Sequence, residues 1–172
     1  GKYNFIGQNG LDYPQPKELG EDSIELNIDP QVLSSGINNT LFASADDELR
    51  PVMNGIYFDI TTEDLTFVAS DGHKLVRYKT LVAKGDQRAS FILPKKPANI
   101  LRAILPKESE SINIKFDANN AHIKMSSYTM TCRFIEGRYP NYNSVIPQDN
   151  PNKVQLDRLV FLNALKRVAV FS

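Results

Sequence analysis

Ser70, Asp71 and His73 are the residues of this chain whose types and spacing could do chemistry at close quarters. A serine, a carboxylate and an imidazole suggest acyl transfer, with the serine attacking, the histidine as base and the aspartate orienting the ring. Their spacing excludes it. All three fall within Ser70-Asp71-Gly72-His73, around an Asp-Gly pair between two apolar runs, which is a strong hairpin signal. Side chains along such a hairpin alternate faces and cannot converge as a relay. The other histidine, His122, lies in an alternating run at 121–125 and reads as a solvent-facing strand residue. There is no Cys/His metal spacing, phosphate-binding loop or glycine-rich dinucleotide turn. The acidic pairs Asp46-Asp47 and Glu63-Asp64 fall at a helix end and in a turn, where solvated carboxylates are usual. The chain is read as a non-catalytic protein that needs no metal and no cofactor.

The elements that carry the hairpin follow from periodicity. Residues 1–22 are rich in turn formers and read as an extended tail or linker. Ile24, Leu26 and Ile28 alternate as a half-buried strand. Asp29-Pro30 then predicts a helix N-cap and first residue, with Val32, Leu33, Ile37, Leu41 and Phe42 on one face. A meander follows: Ile56, Phe58 and Ile60 alternate, the run 65–70 returns, and 73–81 runs back after the Asp71-Gly72 turn. The scheme then repeats. A strand at 90–93 leads into a helix from Lys95 or Lys96, with Pro97, Ile100, Leu101, Ile104 and Leu105 inward, and strands follow at 112–116, 121–125 and 128–134. The unit of strand, helix and three strands occurs twice, which implies an α+β domain of mostly antiparallel sheets with helices on one side.

Composition agrees with a protein that grips nothing by charge alone. The 172 residues carry 20 basic and 20 acidic side chains, so no global field draws in nucleic acid or an acidic membrane. No apolar run approaches the roughly 20 residues that span a bilayer. One cysteine, Cys132, cannot form an internal disulfide, which fits a cytoplasmic context, and it reads as a buried small hydrophobe. The start, Gly1-Lys2-Tyr3, is no signal peptide, and without an initial methionine the chain reads as a piece of something longer.

A longer period is also visible. Tyr13-Pro14 recurs as Tyr139-Pro140, and a shift of 128 sets Leu26, Ile28, Asp29, Val32, Ile37 and Ser44 on Val154, Leu156, Asp157, Val160, Leu165 and Ser172. The stretch 154–157 thus reads as a second opening strand and N-cap, followed by another helix.

Three segments, Arg50-Pro51-Val52-Met53-Asn54-Gly55, then Ser70-Asp71-Gly72-His73-Lys74-Leu75, then Glu136-Gly137-Arg138-Tyr139-Pro140-Asn141-Tyr142, resemble the middle domain of the bacterial DNA sliding clamp, the β subunit of DNA polymerase III. The resemblance covers nearly the whole chain. It implies that 1–21 is the tail of a first clamp domain, 22–149 a complete middle domain and 150–172 the start of a third. It further implies a homodimeric ring around duplex DNA. The polymerase, the clamp loader and other polymerases and repair proteins would be tethered by short motifs of glutamine followed by leucine and phenylalanine.

Carried over by motif, the peptide site would comprise Arg50, Met53, Ser70, Gly72, His73, Lys74, Leu75, Pro140 and Val145. The physics is sensible: Gly72 admits a peptide backbone closely, the apolar members seat leucine and phenylalanine, and Arg50, His73 and Lys74 supply donors. Ser144 stands where relatives often carry a basic residue, and the family's pocket is completed by a third-domain tail absent here. Binding by this piece is therefore expected to be weak, on the order of hundreds of micromolar. The DNA-facing cations would be Lys95, Lys96 and Arg102 on the second helix and Arg158, Lys166 and Arg167 on the third, making weak, salt-dependent contacts. A β-rich peptide-binding or scaffold domain unrelated to replication would share the fold but show no preference for such motifs.

Overall fold

The computed structural model describes residues 1–171; Ser172, the last position of the 128-residue match, lies outside them. The chain divides into one unit of Gly1–Pro140 and a second beginning at Asn141.

In the first unit the alternating and helical patterns form in the expected order: β1 (Ile24–Ile28), α1 (Pro30–Thr40), β2 (Gly55–Ile60), β3 (Leu65–Ser70), β4 (Leu75–Thr80), then β5 (Ala89–Pro94), α2 (Lys95–Ile104), β6 (Ile112–Phe116), β7 (Asn120–Lys124) and β8 (Thr129–Arg133). All pairings are antiparallel, in two four-stranded sheets ordered β4-β3-β2-β5 and β1-β6-β7-β8. The two halves do not each keep their own sheet. The first strand of each half pairs into the other half's sheet, with Leu26 opposite Ile114 and Phe91 opposite Phe58.

Local chemistry sets the helix starts. The Asp29 carboxylate accepts from the Gln31 and Val32 amides at 2.8 and 3.2 Å, and Pro30 fills the first position where its missing N–H costs nothing. Helix α1 lies against β3 and β4, α2 against β2 and β5, and the two helices touch. One core joins them, with Leu33, Ile37, Phe58, Phe67, Leu93 and Leu101 fully buried. The approach of α1 is close: a Cβ on Gly36 would stand 2.4 Å from the Phe67 ring.

Several expectations need correction. Phe42 is 66% exposed, because it sits in a 3₁₀ turn (Leu41–Ala43) whose tighter winding carries it off the α1 face. Ile100 is also exposed, since Ala98, Leu101 and Leu105 form the buried stripe of the second half. Pro97 and Ile104 are half-buried. His122 is half-buried rather than solvent-facing, with Nε2 3.0 Å from the Lys17 carbonyl oxygen. The leading segment is otherwise irregular and largely exposed. Asp47 and Asp64 are not simply solvated: Asp64 pairs with Lys79 at 2.6 Å, and Asp47 with Arg50 at 2.7 Å.

The second unit holds a 3₁₀ turn (Tyr142–Val145) and α3 (Arg158–Val168). Asp157 caps α3 as expected, its carboxylate accepting from the Val160 amide at 2.8 Å. The opening strand expected at 154–156 is not formed. A strand needs a neighbour for its backbone groups, and among the described residues none pairs with this one.

Candidate functional site

The β3–β4 hairpin is built by its own side chains. Ser70 faces Leu75 as the last strand pair, leaving 71–74 as the loop. The Asp71 carboxylate accepts from the His73 and Lys74 amides, both at 2.9 Å, and pairs with the Lys74 ammonium. Ser70 Oγ donates to the Lys74 carbonyl at 2.8 Å and accepts from the Gly72 amide at 3.1 Å. Lys74 and the two amides hold the Asp71 carboxyl far below the usual carboxylate range. Only Gly72 in this loop has a positive φ, +91°. An Asp-Gly turn with both central residues left-handed would need Asp71 positive as well; here Asp71 acts through its side chain instead.

Two other segments close on this hairpin. Arg50 opens a 3₁₀ turn (Pro51–Met53); its Nε donates to Asp47 Oδ2 at 2.7 Å and its Nη2 to the Asp71 carbonyl at 3.3 Å. Its Nη1 stands 2.8 Å from the point where a Cβ on Gly72 would lie, so the guanidinium covers the hairpin tip. Asp47 is itself fixed, since its side chain accepts from the Leu49 amide at 2.8 Å and its backbone bonds the Asn54 amide group in both directions at 2.9 Å. The third segment arrives at Gly137, whose φ is +124° and whose Cβ position is 2.7 Å from Val52 Cγ1. Tyr139 then stacks on Tyr57 of β2, with ring centroids 4.7 Å apart.

The structure therefore brings Arg50, Met53, Ser70, Gly72, His73, Lys74, Leu75 and Pro140 onto neighbouring segments of one unit. Met53 and Ser70 are buried, Leu75 is half-buried, and Gly72, His73, Lys74 and Pro140 are exposed. Val145 belongs to the second unit and is exposed. Sequence reasoning missed Asp47, Asn54 and Val52, the residues that hold Arg50 and seat the corner. The available signal was Asp47, a carboxylate three residues before Arg50.

The candidate DNA-facing cations lie on helices. Lys95 and Lys96 occupy the first turn of α2 and Arg102 its last. Two lysines at the positive end of a helix dipole, with no side-chain cap, are unfavourable for the helix itself. Lys95 is half-buried and pairs with Asp46 at 2.7 Å, whereas Lys96 and Arg102 are exposed. Arg158 begins α3 and Lys166 and Arg167 end it, all exposed. No group of three or more metal-ligating side chains gathers among the described residues. Cys132 is half-buried, and burial pushes its thiol up to about 11. No helix among the described residues is long and apolar enough to cross a membrane.

Two antiparallel sheets with paired helices, and a hairpin, arginine turn and tyrosine corner joined on one surface, define a sliding-clamp domain. Residues 27–141 match the family described as the DNA polymerase III beta subunit, central domain, and the chain belongs to that family. The beta sliding clamp of Halalkalibacterium halodurans is 32% identical over 173 residues, covering 99% of this chain and 45% of that protein. That of Synechococcus elongatus is 28% identical over 178 residues, covering 100% of this chain and 47% of that protein. Among solved structures, the Bacillus subtilis polymerase sliding clamp superposes with a TM-score of 0.86 at 25% identity, covering 96% of this chain and 43% of that one. The Pseudomonas aeruginosa sliding clamp bound to griselimycin gives a TM-score of 0.86 at 26% identity, covering 95% and 44%. The chain spans just under half the length of the curated relatives it matches.

Proposed function

We propose that this chain is part of a non-catalytic DNA polymerase processivity clamp, with a peptide-binding surface at the β3–β4 hairpin. The carrying observation is the junction of the Arg50 turn, the Gly72 loop and the Tyr139 corner. Donors (Arg50, His73, Lys74) stand there beside apolar side chains (Met53, Leu75, Pro140); Val145, which the resemblance assigns to the same surface, belongs to the second unit. Such a surface suits a short linear motif that presents leucine and phenylalanine, anchored at a few points. Its partners would be the polymerase catalytic subunit, the clamp loader and other polymerases and repair proteins.

In the same reading, 1–21 ends a first clamp domain, 22–149 is a complete middle domain and 150–172 begins a third. The full-length protein closes as a homodimeric ring around duplex DNA in the bacterial cytoplasm. Lys96, exposed at the start of α2, supports a DNA-facing helix, because a cation there opposes the helix dipole. With Lys95 already paired to Asp46, direct DNA affinity is low and falls steeply with salt.

The test is an NMR titration of the isotope-labelled chain with the peptide Gln-Leu-Ser-Leu-Phe. The expected result is a cluster of shifts on Met53, Gly72, His73, Leu75 and Val145 that vanishes when the leucines and phenylalanine are replaced by alanine. Shifts scattered elsewhere, or equal with the control peptide, would favour a general β-rich scaffold instead.

A further inference from the structure

We infer that Arg50 is a latch over the peptide surface and that Asp47 is the residue that sets it. The inference rests on the peptide-site reading above. Gly72 is the one loop position where a peptide backbone could come close, for it has no side chain and presents a positive φ. That space is filled. Nη1 of Arg50 stands 2.8 Å from the Gly72 Cβ position, so any atom placed there must push the flexible guanidinium aside. A peptide backbone entering there meets the same guanidinium.

Two bonds hold the guanidinium down. Nη2 donates to the Asp71 carbonyl at 3.3 Å, a long bond that gives way readily, while Nε donates to Asp47 Oδ2 at 2.7 Å, a short charge-assisted one. Asp47 in turn does not swing freely, because the Leu49 amide and the Asn54 side chain fix it. The Arg50 side chain itself is half exposed, so its departure from the hairpin needs no opening of the core. Peptide binding is then a competition: the ligand displaces the guanidinium from Gly72, and the strength of the Asp47–Arg50 pair subtracts from the affinity. Exposed pairs of this kind shift an equilibrium by a small factor, so the latch tunes binding and does not forbid it.

The experiment follows the Arg50 Nε–H signal of the unaltered 172-residue chain during titration with Gln-Leu-Ser-Leu-Phe, beside the same titration of Asp47→Asn. The signal is assigned by its loss in Arg50→Lys. In the free chain it should exchange slowly with solvent, and it should become fast-exchanging in step with the Gly72 amide shift. Asp47→Asn should bind the peptide about two- to five-fold tighter, with that advantage shrinking as salt is raised. If Gly72 and His73 shift while Arg50 Nε–H stays protected, the latch is wrong and the peptide surface stands. Equal or weaker binding by a folded Asp47→Asn chain overturns the latch as well. If the peptide moves none of these signals in either chain, the peptide-site reading falls and the latch with it. Should Asp47→Asn fail to fold, the exchange measurement on the unaltered chain decides alone.

Discussion

Tyr57 and Tyr139 lie face to face, their ring centroids 4.7 Å apart and their planes 7° from parallel. The stack fastens the segment that follows β8 to the middle of the other half's sheet. Tyr139 is buried, and among the described residues its hydroxyl finds no hydrogen-bond partner of normal geometry. Burial pushes that hydroxyl up to about 12, against a smaller opposing pull from the Ser70 backbone.

The ring, not the hydroxyl, therefore carries the contribution of Tyr139. Tyr139→Ala should cost about 3 kcal/mol of stability, the range for removing a buried aromatic side chain. Tyr139→Phe should stay within about 1 kcal/mol of the parent, since it removes a polar atom that is poorly satisfied. Urea unfolding followed by circular dichroism separates the two.

Gly36 is a packing glycine. Alanine would gain about 1 kcal/mol in helix propensity, yet its Cβ would lie 2.4 Å from the Phe67 ring. Overpacking of that kind costs about 1–3 kcal/mol, so Gly36→Ala should lower stability on balance. Gly20→Ala, with nothing within 4 Å of its Cβ, is the matched control and should be near neutral in the same thermal melts.

Gly72→Val should abolish the peptide-induced shifts, because valine at φ +91° is strained and its branched side chain fills the space a peptide backbone would take at the hairpin tip. His73→Ala should weaken the peptide several-fold with an unchanged melting temperature, His73 being exposed at the loop tip. A chain unfolded by His73→Ala would make the residue structural and remove it from the site.

Asp71 carries a pH signature. Its carboxyl is lowered in the folded chain, so the unfolded state binds the proton more readily and stability rises with pH through this group. The contribution is complete above the ordinary value of 3.8 and is lost as pH falls below it, towards the folded value. The difference in urea midpoint between the parent and Asp71→Asn should therefore be constant from pH 7 to pH 5 and shrink below pH 4.

Cys132 should be a slow thiol. Burial raises it from 9.0 to about 11, so near pH 8.5 the folded chain holds far less thiolate than the unfolded one. Alkylation by iodoacetamide should be at least about tenfold slower in buffer than in urea. Any stability linked to this group is present below pH 9 and lost as pH rises towards 11.

Most of the fold was legible because it is written in short periods. The alternation of Ile24, Leu26 and Ile28, the Asp29-Pro30 cap and the Asp71-Gly72 loop each depend on neighbours a few residues away. Long-range relationships were not legible in that way. Nothing local tells β1 to pair with β6, or the Lys17 carbonyl to meet His122, so the exchange of strands and the contact that half-buries His122 emerged only with the structure. The same limit applies at the site. The hairpin could be read from its own residues, whereas Asp47 as the anchor of Arg50 needed coordinates, since a pair of acidic residues reads first as solvated charge. The strand expected at 154–156 failed for the complementary reason: its alternation is present, but a strand is a property of two segments.

The exchange of first strands between the halves has a consequence for how this domain is made. β1 leaves the ribosome well before its partner and pairs only when residues 112–116 have followed, so its amides wait through the synthesis of the rest of the first half. β2 likewise stays unpaired on one side until residues 89–94 appear. A single cut in the connection between β4 and β5 would give two pieces, each owning a strand that belongs in the other's sheet. Expressed separately, each piece should be poorly folded; mixed, they should reassemble by returning the borrowed strands.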